Sequence, residues 1–124
     1  DYDTEYHYLF KIIYDAKKNG SSDFQLLLPN ATRKMLEMFV SFAAPTQTSF
    51  AGALGESGVV LTENNLKALE RLVQIESHGT MEGMGILPSL TVEESIRACS
   101  AAIEFIQKRD PKHYHAMKSM CDRL

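Results

Sequence analysis

The sequence predicts an all-α protein, a bundle of four to five helices. Apolar residues recur at steps of three and four along several segments, which is the period of a helix with one buried face. Glycine, proline and capping residues separate these segments. Strand signals are weak, since residues 58–61 are the only β-branched run and it is short. A chain of 124 residues with 44% hydrophobic residues can bury one core, so we expect a single helical domain over residues 1–124.

The first two predicted helices have clear ends. The first covers residues 2–18, and Gly20 follows it as a residue that readily takes the left-handed conformation closing a helix. The second covers residues 31–44, with Asn30 as its N-cap. The spacing of its apolar residues predicts a buried stripe made of Met35, Leu36, Phe39 and Phe42.

A long Gly-rich loop is predicted between helices two and three. Residues 46–61 are small and polar, and loops of more than about 12 residues are usually functional or disordered. Within them, residues 52–58 hold three glycines but lack the Lys-Ser/Thr of a phosphate-binding loop, and no strand precedes them. We therefore expect an exposed, flexible connection rather than a nucleotide site.

Three more helices complete the predicted bundle. Thr62 can cap the third, which runs to about residue 78. Thr91 and Glu94 have the spacing of a capping box and open the fourth. Asp110, followed by proline at the first helical position, opens the fifth, which runs to the end of the chain.

Composition excludes several classes of protein. A net charge of −3 excludes a strongly basic protein that coats nucleic acid by bulk charge. No apolar run approaches the roughly 18–20 residues needed to span a bilayer. Cys99 and Cys121 are too few for a disulfide scaffold, and their helical positions predict ordinary buried packing. Because the chain begins with Asp1 rather than Met, we expect a piece of a larger protein.

Polar side chains on the second and third predicted helices are the candidate site. Arg33 and Glu37 are four residues apart and can form an ion pair on one face, although such exposed pairs are commonplace. Arg71 and His78 are nearly two turns apart, with Lys67 on the same polar face. The end of a helix favours the imidazolium form of a histidine, so His78 could act as a general acid. The alternative is an ordinary solvated helix face.

An arginine, a glutamate and a histidine from two helices suit metal-independent RNA cleavage, in which the ribose 2′-OH attacks the adjacent phosphate. His78 would move the proton, Arg33 or Arg71 would hold the developing negative charge, and Glu37 would orient one of these groups. The sequence has no Cys-x-x-Cys or His-Glu-x-x-His motif, so no metal site is predicted.

Residues 108–123 form a local basic segment, with five Lys and Arg against two Asp and hence a net charge of +3. Cations beside an aromatic ring can hold phosphate and stack a base, although a solvated basic tail is the alternative. His113 and His115 are two residues apart and point to different helix faces, which predicts surface histidines rather than metal ligands. The candidate RNA-binding residues are Lys34, Lys67, Lys112, His113 and Tyr114.

Three segments carry a family resemblance: residues 5–10 (EYHYLF), residues 28–37 (LPNATRKMLE) and residues 75–79 (IESHG). Their order and spacing resemble the C-terminal region of coiled-coil ABC-type (AAA-like) bacterial ATPases related to anticodon nucleases of phage defence. The resemblance covers roughly residues 5–80, together with Asp110, His113 and Tyr114 later in the chain. The Walker motifs of the ATP-binding half of such proteins are absent from this sequence.

The resemblance implies a set of nuclease residues. The anticodon-nuclease branch carries an Arg-x-x-x-Glu pair and a downstream histidine, and Arg33, Glu37 and His78 occupy the matching positions. Arg71 with His78 is also similar to the Arg-x(4–6)-His motif of HEPN ribonuclease domains, which are helical and often dimeric. On this basis the expected fold is a HEPN-like bundle, and the site residues are the same as those found from spacing.

The resemblance further implies a function and its partners. It implies a cytoplasmic C-terminal fragment of an ATP-regulated defence protein that cleaves tRNA, or another RNA, in the anticodon loop. ATP and Mg²⁺ would belong to an upstream ATPase part, with no cofactor in this fragment, no membrane contact and pairing with a second copy. Whether the domain is an enzyme stays open, because the same helices could form a non-catalytic dimerisation or regulatory module of the ATPase.

Overall fold

The computed structural model describes residues 4–47, 50–78 and 90–123, without the side chains of residues 75–78. These residues form α-helices and no strand, which confirms the all-α prediction. A short 3₁₀ turn, Gln25–Leu27, precedes the second helix. The α-helices of the described residues are α1 (Glu5–Asn19), α2 (Leu28–Ala43), α3 (Phe50–Ser57), α4 (Glu63–His78), α5 (Val92–Arg109) and α6 (Pro111–Arg123).

Helix α5 is the centre of the bundle, because α1, α2, α4 and α6 all pack against it. Small side chains on α5 let the neighbouring helices approach closely, and larger side chains of α5 fill the space between the helices. Phe105 of α5 meets Phe39 of α2 edge to face, with ring centroids 6.0 Å apart. The buried residues of α5 are Ser95, Ala98, Cys99, Ala101, Ala102, Ile103, Phe105 and Ile106.

Side-chain contacts fix the direction of the helices that flank α5. Helix α2 runs parallel to α5, since Thr32 contacts Cys99 and the Ala43 carbonyl accepts a hydrogen bond from Arg109. Helix α4 runs antiparallel to α5, since its early residue Asn65 contacts Glu104 and its later residue Arg71 contacts Glu94. The first half of α2, the second half of α4 and the first half of α5 therefore lie at one end of the bundle, which we call the Val92 end.

The helix caps predicted at Gly20, Thr91 and Asp110 are confirmed. Gly20 closes α1 with a positive φ of 71°, and its N–H donates to the Ala16 carbonyl. Thr91 and Glu94 form both hydrogen bonds of the capping box. The Asp110 carboxylate accepts from the His113 N–H at 3.2 Å, with proline in the first turn of α6. These caps are set by neighbouring residues alone, which is why the sequence predicts them.

The loop predicted over residues 46–61 is partly wrong, because it contains α3. Phe50 and Ala53 of α3 are buried, and the Phe50 ring packs edge to face on Phe105 at 5.4 Å. This tertiary contact supplies the energy that a Gly-containing helix of eight residues lacks on its own. Helix α3 also brings the number of helices above the four to five predicted.

The predicted start of the second helix is also wrong. Helix α2 begins at Leu28 rather than at residue 31, so Asn30 lies inside its first turn and is not the N-cap. Pro29 fits there because the first helical N–H groups have no partner within the helix. Phe42 is 54% exposed and does not complete the buried stripe, although its ring still contacts that of Phe39.

Candidate functional site

The structure pairs Arg33 with Glu37 on α2. The Arg33 Nε and the Glu37 Oε2 lie 3.8 Å apart, and the side chains are 32% and 45% exposed. The separation of four residues allows this contact, as the sequence predicts. Both side chains are therefore partly open to solvent, although the Arg33 Nε itself is buried.

Arg71 has a different carboxylate partner. Its Nε donates to the Glu94 Oε2 of α5 at 2.9 Å, so Arg71 pairs with Glu94 rather than with Glu37. The other oxygen of Glu94 accepts the Thr91 N–H at 2.9 Å as part of the capping box. The Thr91 backbone hydrogen bond and the Arg71 charge lower the pKa of Glu94, which keeps this carboxylate ionised. Glu94 therefore joins α4 to the start of α5.

The helices that hold Arg33 and Arg71 both pack against α5. Arg33 follows Thr32, whose hydroxyl contacts Cys99 of α5, while Arg71 contacts Glu94 of the same helix. Glu94 and Cys99 are five residues apart, or about 7.5 Å along a helix axis. Helices α2 and α4 also contact each other. His78 is the last residue of α4, and its side chain lies outside the described residues.

A surface groove of about 280 Å³ runs between α4 and the start of α5. Lys67 and Arg71 line it from α4, and Glu93, Glu94 and Arg97 line it from α5. Arg97 is not among the site residues predicted from the sequence, because the groove arises only when α4 and α5 pack antiparallel. A signal was nonetheless present, since Arg97 follows Glu94 by three residues and so shares its helix face.

The remaining lysines among the predicted RNA-binding residues are at the surface. Lys34 reaches Glu5 of α1 at 2.7 Å, and Lys67 pairs with Glu63 one turn earlier at 3.3 Å. Lys112 is exposed in the first turn of α6. Because exposed ion pairs are worth about 0–1 kcal/mol, both paired lysines can exchange partners at low cost.

His113 is not the surface histidine that the sequence predicts. Its Nε2 lies 2.7 Å from the Tyr6 hydroxyl, in hydrogen-bond contact. The rings of Tyr6, Phe39 and Phe42 surround it at centroid distances of 5.5, 5.6 and 5.7 Å. Burial lowers the pKa of His113, with a smaller opposing effect from Asp110. This aromatic cluster, made of Tyr6, Phe39, Phe42 and His113, fastens α6 to α1 and α2.

Tyr114 is also less accessible than its predicted role requires. It is 5% exposed on the buried side of α6, so its ring has no free face on which a base could stack in this conformation. By contrast, its neighbour His115 is exposed, as predicted. The predicted basic surface over residues 108–123 therefore has its lysines and arginines, but the Tyr114 ring does not take part in it.

Both cysteines are buried and unpaired with each other, as predicted. Burial raises the pKa of each thiol to about 11, so neither is a ready nucleophile. Among the described residues, no three His, Cys, Asp or Glu side chains cluster in a way that could hold a metal ion. No helix in the same part of the chain is long and apolar enough to cross a membrane.

Comparison with known proteins identifies the family. A family model described as an AAA domain matches residues 1–104, from before α1 into the second half of α5. No curated protein and no solved structure matches the chain. Since the match covers 104 of the 124 residues, this helical chain belongs to the AAA domain family and is an ATPase-related region.

Proposed function

We propose that this chain is a HEPN-like ribonuclease domain of an ATP-regulated, cytoplasmic defence protein and that it cleaves tRNA in the anticodon loop. The observation that carries the proposal is the shared position of the site helices. Thr32, next to Arg33 on α2, contacts Cys99 of α5, and Arg71 of α4 contacts Glu94 of the same helix, while His78 ends α4. Residues 45 positions apart in sequence are thus on neighbouring helices.

The proposed reaction is an internal transfer at phosphorus. His78 takes the proton of the ribose 2′-OH, the 2′-oxygen bonds to phosphorus, and the bond to the 5′-oxygen breaks. The products are a 2′,3′-cyclic phosphate and a 5′-hydroxyl, which receives the proton. Arg33 stabilises the negative charge that develops on the phosphoryl oxygens, and Glu37 orients Arg33 from 3.8 Å. Arg71 supports the same charge from α4.

ATP and Mg²⁺, which the family implies, do not fit the residues described here. Residues 52–58 lack the Lys-Ser/Thr of a phosphate-binding loop, and part of this segment is helical instead. The described side chains offer no cluster of three metal-ligating groups. The proposed reaction therefore does not use a nucleotide, and ATP binding would belong to an upstream part of the larger protein.

The His78→Ala variant tests the proposal. We expect the rate of tRNA cleavage to fall by about 10²–10⁴-fold, because a positioned acid–base group contributes that much. The helical circular-dichroism spectrum should stay unchanged. His115→Ala is the matched control, since His115 is an exposed histidine on α6. This variant should cleave tRNA at the wild-type rate. Wild-type cleavage by His78→Ala would refute the assignment.

The alternative function is a non-catalytic module that pairs subunits or docks on the ATPase part. Exposed apolar side chains favour it: Phe24 is 41%, Leu26 95% and Leu27 60% exposed in the turn before α2. Val92 is also exposed, at 59%, at the start of α5. Apolar surface of this kind is common at interfaces. A concentration-dependent mass in sedimentation, without any RNA cleavage, would favour this function over the nuclease.

A further inference from the structure

Arg97 is a cation that has no partner among the described residues, and it lies at the edge of the candidate site. It is exposed on α5 and lines the groove between α4 and α5. Within the described part of the chain it makes no hydrogen bond or ion pair. Its neighbour Glu94 is already engaged by Thr91 and Arg71, so it does not neutralise Arg97. The guanidinium of Arg97 is therefore available to an external anion.

The two other cations of the groove can be recruited by the same anion. Lys67 is 70% exposed in its pair with Glu63, and Arg71 is 47% exposed in its pair with Glu94. Exposed pairs contribute about 0–1 kcal/mol, so exchanging a carboxylate for a phosphate costs little. Arg71 meets Glu94 through its Nε, and no contact of its terminal amino groups is seen among the described residues, so these groups can bind phosphate in the bidentate manner of arginine.

The spacing of these cations favours an extended ligand. Lys67 and Arg71 are one helical turn apart on α4, about 6 Å, and Arg97 faces them from α5. The groove also contains the carboxylates of Glu93 and Glu94, so three positive charges stand against two negative ones. A balance this close to neutral does not concentrate small anions, whereas a chain with repeated phosphates can contact each cation in turn.

We propose that the α4–α5 groove binds the phosphodiester backbone of the RNA substrate and that Arg97 contacts one of its phosphates. This inference rests on the proposed ribonuclease function and names a binding residue for it. Arg97 acts in binding and not in the chemical step. Phosphate contacts fix the position of the strand without reading its sequence, so the groove sets where RNA lies relative to the Val92 end.

The Arg97→Gln variant tests this inference by fluorescence anisotropy with a labelled anticodon stem-loop RNA. We expect the Kd to rise about fivefold at 0.1 M salt and the slope of log K against log salt to fall by about one, as for one lost phosphate contact. Lys17→Gln is the charge-matched control, because Lys17 is exposed in the last turn of α1 and does not line the groove. It should keep the wild-type slope.

The outcomes separate this inference from the proposed function. Equal Kd values for Arg97→Gln and Lys17→Gln would overturn the groove assignment, even if the chain cleaves RNA. An absence of RNA binding by the wild-type chain would overturn it as well. If the slope of log K against log salt falls for Arg97→Gln but not for Lys17→Gln, the result supports the groove assignment even when no cleavage is seen. In that case only the ribonuclease proposal fails.

Discussion

The groove between α4 and α5 and the aromatic cluster around His113 use similar residues in opposite ways. In the groove, Arg71 and Glu94 meet at the surface, where water screens the pair and a ligand can replace either partner. In the cluster, His113 contacts Tyr6 and two phenylalanine rings, and burial lowers its pKa. Burial rather than residue type thus distinguishes a site that can exchange partners from one that holds the fold.

The largest expected effect concerns the aromatic cluster. Phe39 is fully buried and its ring contacts Phe42, Phe105 and His113. Phe39→Ala should lower the free energy of unfolding by about 3–5 kcal/mol, because it leaves a cavity in the core. Urea unfolding followed by circular dichroism measures this change. Phe24→Ala, at a position 41% exposed, should cost far less; equal losses in the two variants would contradict the described core.

A smaller effect should come from pH. Because burial lowers the pKa of His113 below the ordinary value of 6.5, the unfolded chain binds a proton more readily than the folded one in this range. The contribution of His113 to stability is therefore complete above pH 6.5 and is lost as the pH falls toward its folded pKa. Urea unfolding at several pH values between 7.5 and 5 measures the loss.

A His113→Gln variant is the control for this pH dependence. It should be less stable than the wild type near pH 7, but its stability should fall less between pH 7 and pH 5. His115→Gln, at an exposed position, should retain the wild-type pH dependence. If His113→Gln keeps the full pH dependence, another group is responsible and the cluster does not respond to pH as described.

The smallest effect is expected in the groove. Arg71→Gln removes the contact with Glu94 at 2.9 Å, but the exposed pair should contribute only about 0–1 kcal/mol to the free energy of unfolding. The variant should therefore unfold almost as the wild type does in urea, while its RNA binding weakens. A loss of stability above about 2 kcal/mol would show that Arg71 holds the fold, and the contrast between the two regions would disappear.

The sequence predicts local features better than those made by distant contacts. Caps at Gly20 and Thr91 depend on residues three or four positions away, and the structure confirms them. Helix α3 is missed because its stability depends on Phe50 packing against Phe105, far along the chain. The environment of His113 is missed for the same reason, since its partner Tyr6 lies 107 positions away.

The candidate site likewise contains some contacts that local sequence predicts and others that depend on how distant helices pack. The Arg33–Glu37 pair follows from helical spacing and is confirmed as a contact. The partner of Arg71 and the presence of Arg97 in the groove depend on how α4 and α5 pack, which no local pattern encodes. The catalytic roles of Arg33, Glu37, Arg71 and His78 stay predictions.

One measurement tests the central claim most directly: incubation of the protein with tRNA in the presence of EDTA, followed by analysis of the RNA ends. A metal-independent reaction by His78 predicts cleavage in the anticodon loop that leaves a 2′,3′-cyclic phosphate and a 5′-hydroxyl. Intact tRNA, or cleavage that appears only when Mg²⁺ is added at the cleavage step and leaves a 5′-phosphate, would contradict the account.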